Sequence, residues 1–185
     1  GAGAIVCAFY YLLELSEELL IEALVGYTRV QAAGEIADHP ILRATSERPW
    51  LLVLIPAVGA LLAGLIAHRW APEARGGGTN VVIDAVHKKD PKLKRRLLWI
   101  KPLTTLLTLS SGGAGGREGP TMLIGGTIGS TVGSWLHTTE RERRILLVAG
   151  MAAGAAAMFR TPLGAALLAV ELLYRDDFEA EALVP

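Results

Sequence analysis

The sequence predicts an all-α protein that crosses a membrane several times. Of its 185 residues, 51% are hydrophobic and only 19% are charged, which lies on the apolar side of ordinary soluble domains. Residues 50–67 form an uncharged, mostly apolar run that is close to the length a helix needs to cross the hydrocarbon core. Shorter apolar segments rich in glycine and alanine follow, and they predict short, tilted and broken membrane helices.

The other elements follow from the alternation of apolar runs and polar breaks. Residues 4–30 carry leucines at helical spacing, and glutamates in the second half predict an amphipathic helix with a solvated acidic face. Residues 37–49 are polar and contain two prolines, which predicts a loop. Residues 97–111 predict a further helix. The basic run at residues 88–96 predicts a cytoplasmic loop, because short basic loops tend to stay on that side of the membrane.

Glycines recur at every fourth position in two of the later apolar segments. They are Gly125, Gly129 and Gly133 in one segment, and Gly150 and Gly154 in the next. Small residues along one stripe let helix backbones approach closely in lipid, so the pattern predicts tight packing. Taken alone, the same segments also fit alanine-rich core helices of a soluble protein. The charged residues 138–144 between them predict a break.

The ionisable residues exclude several classes of function. Eighteen lysines and arginines balance eighteen aspartates and glutamates, so no basic excess indicates a nucleic-acid partner. The single cysteine, Cys7, excludes an internal disulfide or a thiolate metal cage. The four histidines stand singly, without the spacing that places two metal ligands on one helix face. We therefore predict no metal and no cofactor.

The segment of residues 112–120 is a glycine-rich turn that ends at Pro120, a residue suited to the first turn of a helix. Unsatisfied amides at a helix N-terminus favour an anion. The carboxylate of Glu118 occupies the place that such an anion would take, so its protonation or displacement would act as a gate. Alternatively, Glu118 caps its helix and pairs with Arg117. No second catalytic group lies in a comparable break, which leaves an intramembrane acid/base enzyme as a remote alternative.

The pentapeptide Gly-Arg-Glu-Gly-Pro at residues 116–120 is identical to the signature of the CLC family of chloride channels and chloride/proton antiporters. The chain resembles this family in three further features, in the family's order and spacing. They are the Gly-Gly-Gly-Thr-Asn break at residues 76–80, Lys101 before the signature, and residues 150–171 near the chain end. The resemblance covers nearly the whole chain.

The resemblance implies a homodimer with one chloride pathway per subunit, in which each subunit contains two inverted repeats of broken helices. Residues 1–185 would then be a partial membrane domain, namely the first repeat, completed by a second half that follows. Both chain ends read as cut from a longer sequence. We expect a multi-pass protein embedded in a lipid bilayer, with a bacterial inner membrane as its location.

The resemblance also implies roles for individual residues. Glu118 would be the external gate. The residues at the two helix breaks would bind the anion, with Arg117 shaping the loop and the local potential: Gly76, Gly77, Gly78, Thr79, Gly116, Arg117 and Gly119. Lys101, inside an apolar helix, is a hypothesis for positive potential along the pathway, and a snorkelling lysine is the alternative.

The first break departs from the family pattern Gly-Ser-Gly-Ile-Pro. Gly77 replaces the serine and Asn80 replaces the proline, so the serine hydroxyl that helps to hold chloride is absent. Thr79 brings a hydroxyl of its own. The resemblance therefore leaves the anion preference open.

A second departure concerns proton coupling. Antiporters of the family commonly carry two adjacent glutamates, the second of which accepts the internal proton, and here Glu171 is followed by Leu172. A leucine cannot carry a proton, although some antiporters also lack this glutamate. With this departure, the resemblance implies a passive, Glu118-gated chloride channel or a weakly coupled transporter, with a proton-coupled chloride antiporter as the alternative.

Overall fold

The computed structural model of the protein describes residues 2–23, 50–87 and 91–173. These residues contain no strand and fold into the α-helices α1 (Ala2–Glu17), α2 (Leu51–Trp70), α3 (Thr79–His87), α4 (Leu97–Ser110), α5 (Glu118–Trp135), α6 (Glu140–Phe159) and α7 (Pro162–Leu173). A π-helical turn, Glu18–Ala23, continues α1, and a 3-10 turn, Pro72–Ala74, follows α2. The predicted all-α class is confirmed. The loop predicted at residues 37–49 lies outside the described residues.

The helix α2 is the one helix in the described ranges whose length and composition suit a membrane crossing. It buries only a stripe of small residues, Gly59, Ala63 and Ala67, spaced four apart on one helix face. Large apolar side chains such as Val53 and Leu61 are exposed. Such a face suits contact with hydrocarbon rather than with water. Two shorter helices, α4 and α7, are also apolar.

The helices α5 and α6 pack backbone against backbone along their glycines. A Cβ built on Gly125 would overlap the carbonyl oxygen of Gly150, and one built on Gly150 would overlap that of Gly125. A Cβ on Gly129 would likewise overlap the carbonyl oxygen of Leu146. The tight packing predicted from the glycine stripes is therefore confirmed, and any side chain at these positions would force the two helices apart.

The helix α6 begins inside the charged segment that the sequence predicts to be a break. The hydroxyl of Thr139 accepts a hydrogen bond from the backbone amide of Glu142, and the Glu142 carboxylate accepts one from the amide of Thr139 at 2.9 Å. This reciprocal capping box satisfies two amides that a helix start otherwise leaves unpaired. The prediction of a break is therefore wrong from Glu140 onward, because local capping turns the charged residues into the first turn of a helix.

A cluster of opposite charges joins the 3-10 turn after α2 to the segment that precedes α4. The carboxylate of Glu73 accepts hydrogen bonds from Arg96 at 2.7 and 3.2 Å and lies 3.1 Å from the ammonium of Lys94. Burial alone would raise the pKa of Glu73. The hydrogen bonds from Arg96 and Lys94 outweigh that effect and lower its pKa to about 2.

We expect Gly125→Ala to destabilise the fold by about 1–3 kcal/mol, because the added methyl group meets a backbone carbonyl that has no rotamer to change. The thermal midpoint of the detergent-solubilised protein, followed by size-exclusion chromatography, measures the loss. Gly64→Ala is the matched control, since a Cβ on Gly64 would meet nothing within 4 Å. Equal midpoints for the two variants would contradict the packing argument.

We expect Glu73→Gln to lower stability at neutral pH by about 1 kcal/mol, since the pair is partly solvated. The pKa of Glu73 is about 2 in the fold and 4.5 without its partners. Its contribution is therefore complete above pH 4.5 and fades as the pH falls toward 2. Thermal midpoints of wild type and Glu73→Gln should converge on acidification, and a gap that stays constant at all pH values would refute this role.

Candidate functional site

Two glycine-rich breaks lie against each other where α3 and α5 begin. A Cβ built on Gly119 would lie 2.5 Å from the carbonyl oxygen of Gly77 and 3.2 Å from the hydroxyl of Thr79. A Cβ built on Gly78 would lie 3.3 Å from the carbonyl oxygen of Gly119. The N-terminal ends of the two helices therefore meet through their backbones. We refer to residues 76–79 and 116–119 together as the paired breaks, and they include every residue that the sequence predicts to bind the anion.

The first of the paired breaks depends on glycine conformations. Gly76 has φ of 73° and Gly78 has φ of 104°, values that residues with side chains rarely adopt. Within the described part of the chain, no oxygen accepts a hydrogen bond from the amides of Gly76, Gly77 or Gly78. The first amides of α3 lack partners inside their own helix, although that of Val81 donates to the carbonyl oxygen of Gly78 at 3.1 Å. The break thus collects free donors at the positive end of a helix, where an anion is favoured.

Glu118 is the first residue of α5, and it is exposed. Its carboxylate folds back over Gly116, so that a Cβ on Gly116 would overlap the carboxylate oxygen Oε2. Thr121 donates a hydrogen bond from its hydroxyl to the carbonyl oxygen of Glu118 at 2.8 Å, within the same first turn. Pro120 also lies in this turn, as predicted. The carboxylate therefore lies beside the paired breaks rather than pointing away from them.

Arg117 is held by α1. Its guanidinium lies 3.1 Å from the carboxylate of Glu17 and 5.5 Å from the centroid of the Tyr10 ring. The ion pair is only partly solvated, since the side chains of Arg117 and Glu17 are 27% and 12% exposed. The sequence predicted a solvated acidic face in this region, which is wrong for Glu17. Periodicity could not reveal the pair, because the two residues are 100 positions apart.

Lys101 is buried within α4, with 4% of its surface exposed. Its ammonium group donates hydrogen bonds to the carbonyl oxygens of Ala74 at 3.1 Å and Gly76 at 2.5 Å. Lys101 therefore does not snorkel to solvent, and that alternative is wrong. Its charge lies directly behind the first of the paired breaks.

A cavity of about 500 Å³ adjoins both breaks. Its walls are formed by small residues of α2 on one side and by polar residues of α4 on the other. The residues that link it to the candidate site are Gly76, Gly77, Lys101, Gly115 and Gly116. The cavity gives the paired breaks an open side, lined in part by the hydroxyl-bearing residues Thr104 and Thr108.

The position that the resemblance implies for an internal proton acceptor lies at the end of α7. Leu172 is half-buried and packs against the hydrophobic core. Its neighbour Glu171 is exposed. The position of Leu172 is therefore apolar and packed. In the sequence it lies far from the paired breaks.

Known proteins share much of the sequence of this chain. Residues 59–185 match the family model described as voltage gated chloride channel. The H(+)/Cl(-) exchange transporter ClcA of Cronobacter sakazakii is 33% identical over 159 residues, which cover 82% of this chain and 34% of that protein. A chloride/fluoride channel protein of Pseudomonas syringae pv. tomato is 28% identical over 137 residues, or 74% of this chain and 30% of that protein.

A solved structure shares the fold. The crystal structure of a slow cyanobacterial Cl−/H+ antiporter superposes with a TM-score of 0.68 at 27% identity, covering 89% of this chain and 35% of that chain. This chain spans about a third of the length of the curated relatives it matches. Since the family match covers well over half of the sequence, the chain belongs to the voltage gated chloride channel (CLC) family.

Proposed function

We propose that this chain forms the anion-binding part of a chloride/proton exchange transporter. The geometry of the paired breaks is the observation that carries the proposal, since it brings free amides and the Glu118 carboxylate to one place. The names of the relatives from Cronobacter sakazakii and from the cyanobacterium, both exchangers, favour exchange over the passive channel predicted from Leu172. They also favour transport over an intramembrane enzyme.

In the proposed cycle, chloride accepts hydrogen bonds from the amides of the paired breaks. Glu118 competes with chloride, because a carboxylate and a halide are drawn to the same helix N-termini. A proton on Glu118 removes its charge, so the side chain leaves and an anion takes its place. Each replacement of the Glu118 carboxylate by chloride then carries one proton, bound to Glu118, across the outer half of the pathway.

A passive chloride channel remains a second candidate function. It is favoured by Leu172, which cannot relay a proton on the inner side, and by the similarity to a protein named as a chloride/fluoride channel. In that case Glu118 would gate the pathway without coupling the flux of chloride to that of protons.

The proposal includes the setting of the site. A lipid bilayer surrounds the helices, in keeping with the exposed apolar face of α2 and with the family. Further chain with a second set of helix N-termini completes the pathway, and two copies associate as a homodimer. A bacterial inner membrane is the proposed location.

We expect an imposed chloride gradient to drive protons uphill in liposomes that contain the protein as its natural gene encodes it. Glu118→Gln should abolish this proton movement while chloride still flows, because glutamine cannot be deprotonated. Simultaneous recording with a chloride electrode and a pH electrode measures both fluxes. Glu140→Gln, an exposed glutamate at the start of α6, is the control and should behave as wild type. Chloride flux without proton movement in the wild type would refute exchange and favour the channel.

We expect Arg117→Gln and Glu17→Gln each to slow chloride flux about tenfold, because either change frees the loop that positions Glu118. The double variant should be no slower than the single ones, since both remove the same ion pair. Glu18→Gln, which changes an exposed glutamate of the same segment, is the control. Flux losses that add in the double variant would show that the two residues act independently.

A further inference from the structure

Two glycines of the first break, Gly76 and Gly77, have open space where a side chain would lie. A Cβ built on Gly76 or on Gly77 would meet no atom within 4 Å, so the surrounding structure leaves space at both positions. Glycine is also the residue with the widest choice of backbone conformation. The contact with Gly119 limits Gly77 on one side, and a segment that must present amides in a fixed direction needs a further constraint.

Lys101 supplies this constraint from behind. Its ammonium donates to the carbonyl oxygens of Ala74 and Gly76, which precede and begin the break. An ammonium group has three donors and no acceptor, and its hydrogen bonds to carbonyls are charge-assisted. Two such bonds fix the orientation of the Ala74–Arg75 and Gly76–Gly77 peptide planes, which flank the Arg75–Gly76 peptide.

The orientation of a carbonyl determines that of the next amide. In a planar trans peptide, the C=O of one residue and the N–H of the following residue point in opposite directions. The carbonyl of Gly76 points toward Lys101, so the amide of Gly77 points away from it. Lys101 thereby sets the direction of a donor in the candidate anion site without touching the anion.

We propose that Lys101 is a positioning residue that determines the anion preference of the first break. This inference rests on the proposed anion site, and it gives Lys101 a different role from a source of positive potential along the pathway. Gly77 has no side chain that could donate a hydrogen bond, so recognition at this position depends on the direction of its amide.

The two roles differ in what they do to selectivity. A charge that acts through space stabilises chloride and bromide bound at the same site to a similar degree. Its removal therefore leaves the ratio of the chloride and bromide affinities unchanged. A misdirected amide alters the distance and angle of one hydrogen bond, and this affects anions of different radius unequally. The chloride-to-bromide affinity ratio therefore separates positioning from potential.

The experiment measures chloride and bromide dissociation constants by titration calorimetry on the detergent-solubilised protein as its natural gene encodes it. Lys101→Met removes the charge and all donors, whereas Lys101→Gln removes the charge and keeps an N–H donor. We expect Lys101→Met to weaken chloride binding about tenfold and to change the chloride-to-bromide ratio at least about twofold. Lys101→Gln should keep a ratio nearer to that of wild type. Arg95→Gln, which neutralises an exposed cation before α4, is the control for charge loss.

A uniform loss of affinity for both anions in Lys101→Met and in Lys101→Gln would overturn the positioning role. If Lys101→Met does not fold, Lys101→Gln decides by the same criterion. A chloride-to-bromide affinity ratio and a chloride affinity both equal to those of wild type would support positioning by the retained donor. The proposed function fails separately. A wild-type protein that binds neither anion refutes the site itself, and one that binds chloride but moves no protons refutes exchange alone.

Discussion

The close approach of two backbones, at Gly77 and Gly119, is the contact on which the rest of the structure depends. A side chain at Gly119 would meet the carbonyl of Gly77, so the N-termini of α3 and α5 can meet only because a glycine is present there. The contact brings two helix dipoles to one place, and backbone amides rather than side chains then provide most of the polar groups. The glycine interface between α5 and α6 holds α5 in the position that this contact requires.

Side chains act on this site mainly from outside it. Lys101 holds the carbonyls behind the first break, and Arg117 anchors the second break to α1 through Glu17. Both cations are thus engaged by other parts of the protein, whereas the carboxylate of Glu118 folds back over the break glycine Gly116. Such an arrangement suits a gate, because a single protonation changes the charge at the mouth of the site.

The names of two relatives, both exchangers, favour proton coupling, whereas Leu172 favours a passive channel. Leu172 speaks only for the inner proton route, since an apolar, packed side chain excludes a proton relay at that one position. In the proposed function, the paired breaks and Glu118 concern the anion route and the outer proton step, which exchange and passive flow would share. Leu172 therefore bears on the coupling of chloride flux to proton flux, whereas the fold bears on which ion is transported.

The sequence by itself determined the all-α class, the glycine-rich breaks before α3 and α5, a helix over residues 97–111 that ends in the structure at Ser110, and the glycine stripes. Apolar runs, turn residues and four-residue spacing are local signals. The sequence also singled out Glu118 and Pro120 from a short motif. It misjudged the start of α6, since mutual capping by Thr139 and Glu142 outweighed the density of charge. Only the tertiary structure decided the partners of Lys101 and Arg117. These hydrogen bonds and ion pairs join residues far apart in the chain, and no local pattern of residue types encodes which distant group a buried cation will meet.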